Sequence, residues 1–227
     1  MKCSAKLVAY TQPVIGIPAS GPEALVAYCA RVSNPSNQDN PDYEGLLKYC
    51  IRNKHWSVFE MANAVLEVNT TRDIGRQLLR HRSFSFQEFS QRYADVTALD
   101  VPFEFRDCRM QDHKNRQNST QMDLTDADNR DLNNLWVAKQ QSVLRTAREA
   151  YSWAIDNGVA KEQARALLPE GMTKSRLYVN GTLRSWIHFI QVRSDKSTQK
   201  EHREIAEQAK EVLSTVFPIT IGALNDQ

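Results

Sequence analysis

Between Arg80 and Arg92 the chain reads Arg80-His81-Arg82-Ser83-Phe84-Ser85-Phe86-Gln87-Glu88-Phe89-Ser90-Gln91-Arg92. Three potential cations stand side by side and a fourth closes the run, with Glu88 alone opposing them, so the stretch calls for an anion. A guanidinium fork matches two oxygens of a phosphate or carboxylate, and each charge-assisted hydrogen bond contributes about 1.5–3 kcal/mol net. A plainer reading competes with this one. Asp73 to His81 has helical spacing at Ile74, Leu78 and His81, Thr70 with Asp73 can cap its start, and basic residues in a last turn complement the helix dipole. That accounts for Arg80 and His81 as a solvated helix end. It does not account for Glu88, Ser90 and Arg92 following among three phenylalanines.

On the same helix Arg72, Arg76 and Arg80 recur every four residues as one basic stripe, with Gln77 near the same side. Its last turn can deliver Gln77 and Arg80 to a nucleotide while the next loop folds Glu88, Ser90 and Arg92 back toward it. Another class of function fits part of this pattern. In a single-stranded nucleic-acid-binding module Phe84, Phe86 and Phe89 stack bases while Arg80, Arg82 and Arg92 hold phosphates. Against it, the formal net charge is only +2, which leaves no long basic track. No metal site is expected: His55 and Glu60 are five apart, and no His-Glu-x-x-His spacing occurs. The four cysteines form no Cys-x-x-Cys pair and sit beside no motif, which reads as reduced thiols in a cytosol-like compartment. Neither a signal-peptide stretch nor an apolar run of membrane-spanning length is present, so a cytoplasmic protein is expected.

The pattern Arg-His-Arg, seven residues, Ser (Arg80-His81-Arg82 to Ser90) resembles the signature of the flavin-dependent thymidylate synthases, and Ser85, Gln87, Glu88 and Arg92 match its longer form. Upstream, His55-Trp56-Ser57-Val58-Phe59-Glu60 looks like the family's His-x-Ser/Thr-x-Phe-Glu element. Downstream, Ala164-Arg165-Ala166-Leu167-Leu168-Pro169 and Arg184 to Arg193 look like family segments in the right order. The resemblance spans roughly residues 5–220 and is weakest between about 100 and 130. It implies reductive methylation of dUMP to dTMP, with 5,10-methylenetetrahydrofolate as carbon donor, FAD as hydride carrier and NADPH as reductant. Carried over by position, Gln77, Arg80, Glu88, Ser90, Arg92, Arg165 and Arg193 hold dUMP. Ser57, Arg80, His81, Arg82, Glu88, Thr182, Arg184 and His188 contact FAD. Thr182 stands where the family commonly has Asn, whose amide both donates and accepts, so that contact departs from the pattern. The resemblance also gives Arg193 the catalytic place, stabilising negative charge that develops on the uracil. Separately, no cysteine sits beside a motif and no serine-histidine-carboxylate set is visible, so a nucleophile route is unsupported. Ser90 is weighed as a nucleotide ligand rather than a nucleophile. The resemblance further implies a homotetramer whose sites are shared between protomers.

These residues need elements to position them. With 227 residues, 41% of them hydrophobic, the chain can bury one sizeable core. Leu7 to Thr11 and Val65 to Val68 read as strands, as does Lys174 to Val179. Ser20-Gly21-Pro22-Glu23 predicts a capping box before a helix with Leu25, Cys29 and Val32 on one face. Asn40-Pro41 opens another, with Leu46, Leu47, Cys50 and Ile51 facing in. A long helix is predicted from Thr125 to Asn157-Gly158, with Leu132, Trp136, Val143, Ala147, Tyr151 and Ile155 buried. A short helix ends at Pro169. Leu183, Trp186, Ile187 and Ile190 mark a further helix, and Thr198-x-x-Glu201 predicts a second capping box before the last one. With the resemblance, these elements imply an α+β fold, a small mixed or antiparallel sheet packed with long helices. One domain over 1–227 is expected, with a polar surface excursion at about 103–130.

Overall fold

The computed structural model describes residues 3–99 and 101–226. Its strands are β1 (Ser4–Tyr10), β2 (Asn63–Thr71), β3 (Ser85–Glu88), β4 (Arg109–Gln111), β5 (Ser119–Gln121) and β6 (Lys174–Thr182). The helices are α1 (Pro22–Ala30), α2 (Glu44–Arg52), α3 (Arg72–Leu78), α4 (Ala127–Asp156), α5 (Lys161–Ala164), α6 (Leu183–Arg193), α7 (Lys200–Ser214) and α8 (Pro218–Gly222). Four strands form one sheet in the order β1-β2-β6-β3, and every neighbouring pair is antiparallel, which gives the α+β class. β2 and β6 pair along their whole length, from Asn63 opposite Thr182 to Thr71 opposite Lys174. Alternation turns Ala64, Leu66 and Val68, with Leu177 and Val179, to one buried face. Trp186 and Phe189 of α6 join these residues in the core, as do Ile205 and Leu213 of α7. The indole N–H of Trp186 donates to the Ala64 carbonyl at 3.1 Å, so burying that ring strands no donor.

Several sequence expectations need correction. Glu23 caps nothing in α1, whose cap residue is Gly21; buried, it accepts from the Ile219 and Thr220 amides (3.2 and 2.7 Å) at the start of α8. Val32 is exposed, and α1 instead buries Val26 and Ala27. Glu201 makes no capping box for α7; it binds Arg106 at 3.3 Å and Arg109 at 2.5 Å. On α4 Tyr151 is buried as expected, but Leu132, Trp136 and Val143 are exposed. Its C-terminal half packs through Tyr151 and Ala154 in a second small cluster that includes Val96, Ala164 and Leu168, while nearer its middle Gln140 and Leu144 are buried. The polar stretch near 103–130 carries the β4–β5 hairpin and is tied to the body by polar bonds. Arg106 reaches Asp73 at 2.7 Å, while its backbone meets Gln140 (2.7 Å) and Trp136 (2.9 Å) of α4.

Candidate active site

β2 runs directly into α3, and β6 into α6. Because the two strands are antiparallel, their helices leave from opposite ends of the pair and converge with their C-terminal ends meeting. There the Arg193 Nε donates to the His81 Nε2 at 2.8 Å. An imidazole that accepts at Nε2 is neutral and carries its proton on Nδ1. Burial, and then the charge of Arg193, bring the His81 pKa down to about 4. Burial also brings His202 down to about 3, again with Arg193 contributing. The His81 ring lies edge-on to Phe189 (5.1 Å between centroids) and to His202 (6.1 Å). Arg193 thus approaches two neutral rings, and among the described residues its outer guanidinium nitrogens meet no hydrogen-bond partner. Beside them Gln77 donates to Gln199 at 2.8 Å and lies 3.3 Å from the Nδ1 of His202.

A cleft of about 430 Å³ opens next to this junction, within the roughly 300–1,000 Å³ usual for ligand sites. Trp56 and Ile187 give it apolar walls, while Ser83, Arg184 and His188 supply polar groups. Arg184 and His188 lie one turn apart on the open side of α6, as their spacing predicts, and Arg184 is paired with Glu60. Thr182 is the cap residue of α6: its hydroxyl accepts from the Ser185 amide at 3.2 Å, a local duty. Ser57 is exposed in the short 3-10 turn over Trp56–Met61. Arg80 and Arg82 are exposed and meet no ion-pair partner among the described residues.

A second cleft, of about 380 Å³, is lined by Arg72, Arg76, Gln91, Arg165, Glu162 and Glu170, among others. Arg92 pairs with Glu162 at 3.3 Å, and the Arg165 Nε donates to the Glu162 carbonyl at 3.3 Å. Arg76 donates to Glu170 at 2.6 Å. Glu88 accepts from Ser175 at 2.8 Å and from Arg72 at 3.4 Å, so its carboxylate is held at the end of β3 rather than reaching freely outward. Ser90 is exposed, and no histidine hydrogen-bonds its hydroxyl among the described residues. The Arg80–Arg92 segment therefore borders both clefts, one at Ser83 and the other at Gln91.

The predicted residues fall into three groups. Gln77, His81 and Arg193 meet at the junction of α3 and α6. Arg184 and His188 line the first cleft, while Arg165 lines the second, with Arg92 tied to Glu162 on its wall. Sequence reasoning missed Ser175 and Arg72 as holders of Glu88, and Gln199 and His202 as holders of Gln77. Arg72 was visible in the basic stripe. The other three lie 87 to 125 residues from their partners, and no local spacing reveals such pairs. Cys3 is buried, and burial pushes its thiol up to about 11, far from a reactive thiolate. Among the described residues no group of three or more histidine, cysteine or acidic side chains is placed to hold a metal, and no helix is long and apolar enough to cross a membrane.

Comparison with known proteins places the chain among its relatives. Residues 6–219 match the model of the thymidylate synthase complementing protein family. A probable flavin-dependent thymidylate synthase of Paramecium bursaria Chlorella virus 1 is 47% identical over 224 residues, covering 98% of this chain and 99% of the relative. A flavin-dependent thymidylate synthase of Synechocystis sp. is 48% identical over 223 residues, covering 96% and 98%. Among solved structures, a UMP/dUMP methylase from Streptomyces cacaoi bound with 5-Br dUMP superposes with a TM-score of 0.79 at 26% identity, covering 99% of this chain and 95% of that one. With residues 6–219 of its 227 matched by the family model and two relatives near half identity, the chain belongs to the flavin-dependent thymidylate synthases.

Proposed function

We propose that this chain methylates dUMP to dTMP, taking the carbon from 5,10-methylenetetrahydrofolate and reducing equivalents from NADPH through FAD. The observation that carries the reading is the pair of clefts joined by the Arg80–Arg92 segment. A flavin dinucleotide needs a flat apolar wall and cations for its diphosphate. Trp56 and Ile187 of the first cleft supply the wall and Arg184 there a cation, with Arg80 and Arg82 exposed on the segment that borders it at Ser83, so the residues present fit it. Ser57, His81, Glu88, Thr182 and His188 complete the proposed flavin set. Gln77, Arg80, Glu88, Ser90, Arg92, Arg165 and Arg193 form the proposed dUMP set, with Arg165 beside Arg72 and Arg76 in a cleft suited to a phosphate.

The chain's own groups account for activation of the pyrimidine. Arg193 is oriented through its Nε by neutral His81, which leaves the outer edge of the guanidinium for a ligand oxygen. Held near the uracil carbonyls, it stabilises negative charge developing over N3 and its neighbouring oxygens and so enriches C5. A preorganised donor of this kind is worth about 2.7–4 kcal/mol. No protein nucleophile is required: burial raises the Cys3 and Cys50 thiols, and among the described residues Ser90 has no positioned base. The flavin, when bound, supplies the hydride that turns the transferred methylene into methyl.

Assembly into a homotetramer in the cytoplasm belongs to the same proposal. The support for assembly is the row of exposed apolar side chains along α4 at Leu132, Leu135, Trp136, Val143 and Trp153, the kind of face that marks an interaction surface. The deciding experiment is a visible absorption spectrum of purified protein before and after NADPH and dUMP. A flavin spectrum that bleaches with NADPH, with dTMP formed once 5,10-methylenetetrahydrofolate is added, is expected. Colourless protein that takes up no FAD on reconstitution overturns the reading.

A further inference from the structure

His202 matches no part of the motifs, yet it is fully buried at the start of α7 with its Nδ1 3.3 Å from the Gln77 Oε1 and, among the described residues, no hydrogen-bond partner for its Nε2. Gln77 is held at its other end too: its Nε2 donates to the Gln199 Oε1 at 2.8 Å, and the Gln199 Nε2 donates to the Glu201 Oε2 at 3.1 Å. The sense of this chain follows from its terminus. Glu201 is ion-paired with Arg106 and Arg109, and burial, which opposes its charge, is outweighed by the Arg109 hydrogen bond and the charges of both arginines. Its carboxyl is held below the usual range, where it can only accept.

Gln199 must therefore turn its NH₂ to Glu201 and its carbonyl to Gln77. Gln77 in turn gives its NH₂ to Gln199 and its carbonyl to His202, which must carry its proton on Nδ1. Reversing either amide sets two donors or two acceptors face to face. Each link thus follows from the one before it, and the last link lies beside the Arg193–His81 pair.

We propose that His202 and Gln199 are positioning residues that, keyed by Glu201, lock the amide of Gln77 in one orientation toward the nucleotide. The locked amide keeps its second N–H to donate to a substrate carbonyl or phosphate oxygen, and its oxygen keeps one lone pair to accept from a substrate N–H. This rests on the reading of Gln77 as a dUMP contact.

Steady-state kinetics on the flavin-loaded enzyme, with dUMP varied, test it. His202→Leu removes the donor; His202→Asn restores an N–H near the place of Nδ1. Loss of a single hydrogen bond's worth of orientation raises the KM for dUMP about tenfold, with kcat changed far less. His202→Asn is expected to recover most of that rise. In a Gln77→Leu background, His202→Leu adds nothing further, because the amide it orients is gone. Gln199→Leu cuts the same chain from its half-exposed end and gives the same rise, which keeps the test available should the buried substitution fail to fold. An unchanged KM in both His202→Leu and Gln199→Leu, or additive effects with Gln77→Leu, overturns the proposal while leaving the dUMP site intact. If Gln77→Leu alone leaves KM unchanged, the reading of Gln77 falls and the proposal with it. Nitrogen-15 shifts of His202 in the unsubstituted protein supply an independent check: a neutral Nδ1–H ring at pH 7 supports the lock, and an Nε2–H ring refutes it.

Discussion

Lowering the pH from 7.5 to 5 perturbs the buried imidazoles first. An unfolded histidine titrates near 6.5, whereas folding brings His202 down to about 3 and His81 to about 4. Between these values the unfolded state binds more protons than the folded one, so stability is full above about pH 6.5 and falls as the pH drops below it. The slope approaches 1.4 kcal/mol per pH unit for each such group. At pH 5, about 1.5 units below the unfolded value, His202 alone costs ~2 kcal/mol, and His81, partly open to solvent, adds less. At 2–4 °C per kcal/mol for a chain of this size, the melting temperature falls by about 4–8 °C from His202. Glu23 acts in the opposite sense, since burial raises its carboxyl and the folded state takes up its proton sooner. The comparison between proteins therefore carries the test, rather than the bare slope. Thermal unfolding at matched ionic strength and protein concentration, at pH 7.5, 6 and 5, is expected to show a fall in the wild type that is smaller by about 2 kcal/mol in His202→Leu. An equal fall in both proteins refutes the argument that His202 is buried neutral.

Three further outcomes are expected. Arg193→Ala lowers kcat by about 10²-fold or more while FAD stays bound, because the lost donor acts on developing charge; unchanged turnover removes Arg193 from the chemistry. Ser90→Ala keeps measurable dTMP formation, and complete loss with dUMP still bound revives a serine nucleophile. Gly181→Ala drives a methyl group into the ring of Phe84, whose Cε1 is 2.5 Å from the added carbon. Phe84 is wedged against Trp186 with centroids 4.5 Å apart, so it cannot retreat freely. A loss of about 1–3 kcal/mol in urea unfolding follows, with weaker flavin retention because Ser83 adjoins Phe84; an unchanged midpoint shows that the sheet yields instead.

What was readable from sequence was what depends on neighbours along the chain. The arginine motif, the inward stripes of α2 and α6, the Gly158 stop (φ 76°) and the placement of Arg184 and His188 one turn apart all reflect local periodicity or local backbone preference. The failures share one cause. Glu23 and Glu201 each have the spacing of a capping box, yet a carboxylate goes to whichever donors burial leaves unsatisfied. For Glu23 those are the amides of α8, 196 and 197 residues away; for Glu201 they are two arginines of the hairpin region. The long helix reads as amphipathic over its whole length because its apolar residues recur regularly, but periodicity reports a face and not what covers it, and half of that face is open in the single chain.

The sequence by itself determined which cations, amides and rings are available, and in what order along the helices and strands. Tertiary structure alone decided that His81 is neutral, that Arg193 is aimed through it, and that Gln77 is gripped by Gln199 and His202. Those properties arise where two antiparallel strands send their helices back over one sheet, burying His202 fully and His81 in part at the meeting point. Desolvation and hydrogen-bond direction are set by what surrounds a group in space, and residues more than a hundred positions apart carry no record of that in their spacing.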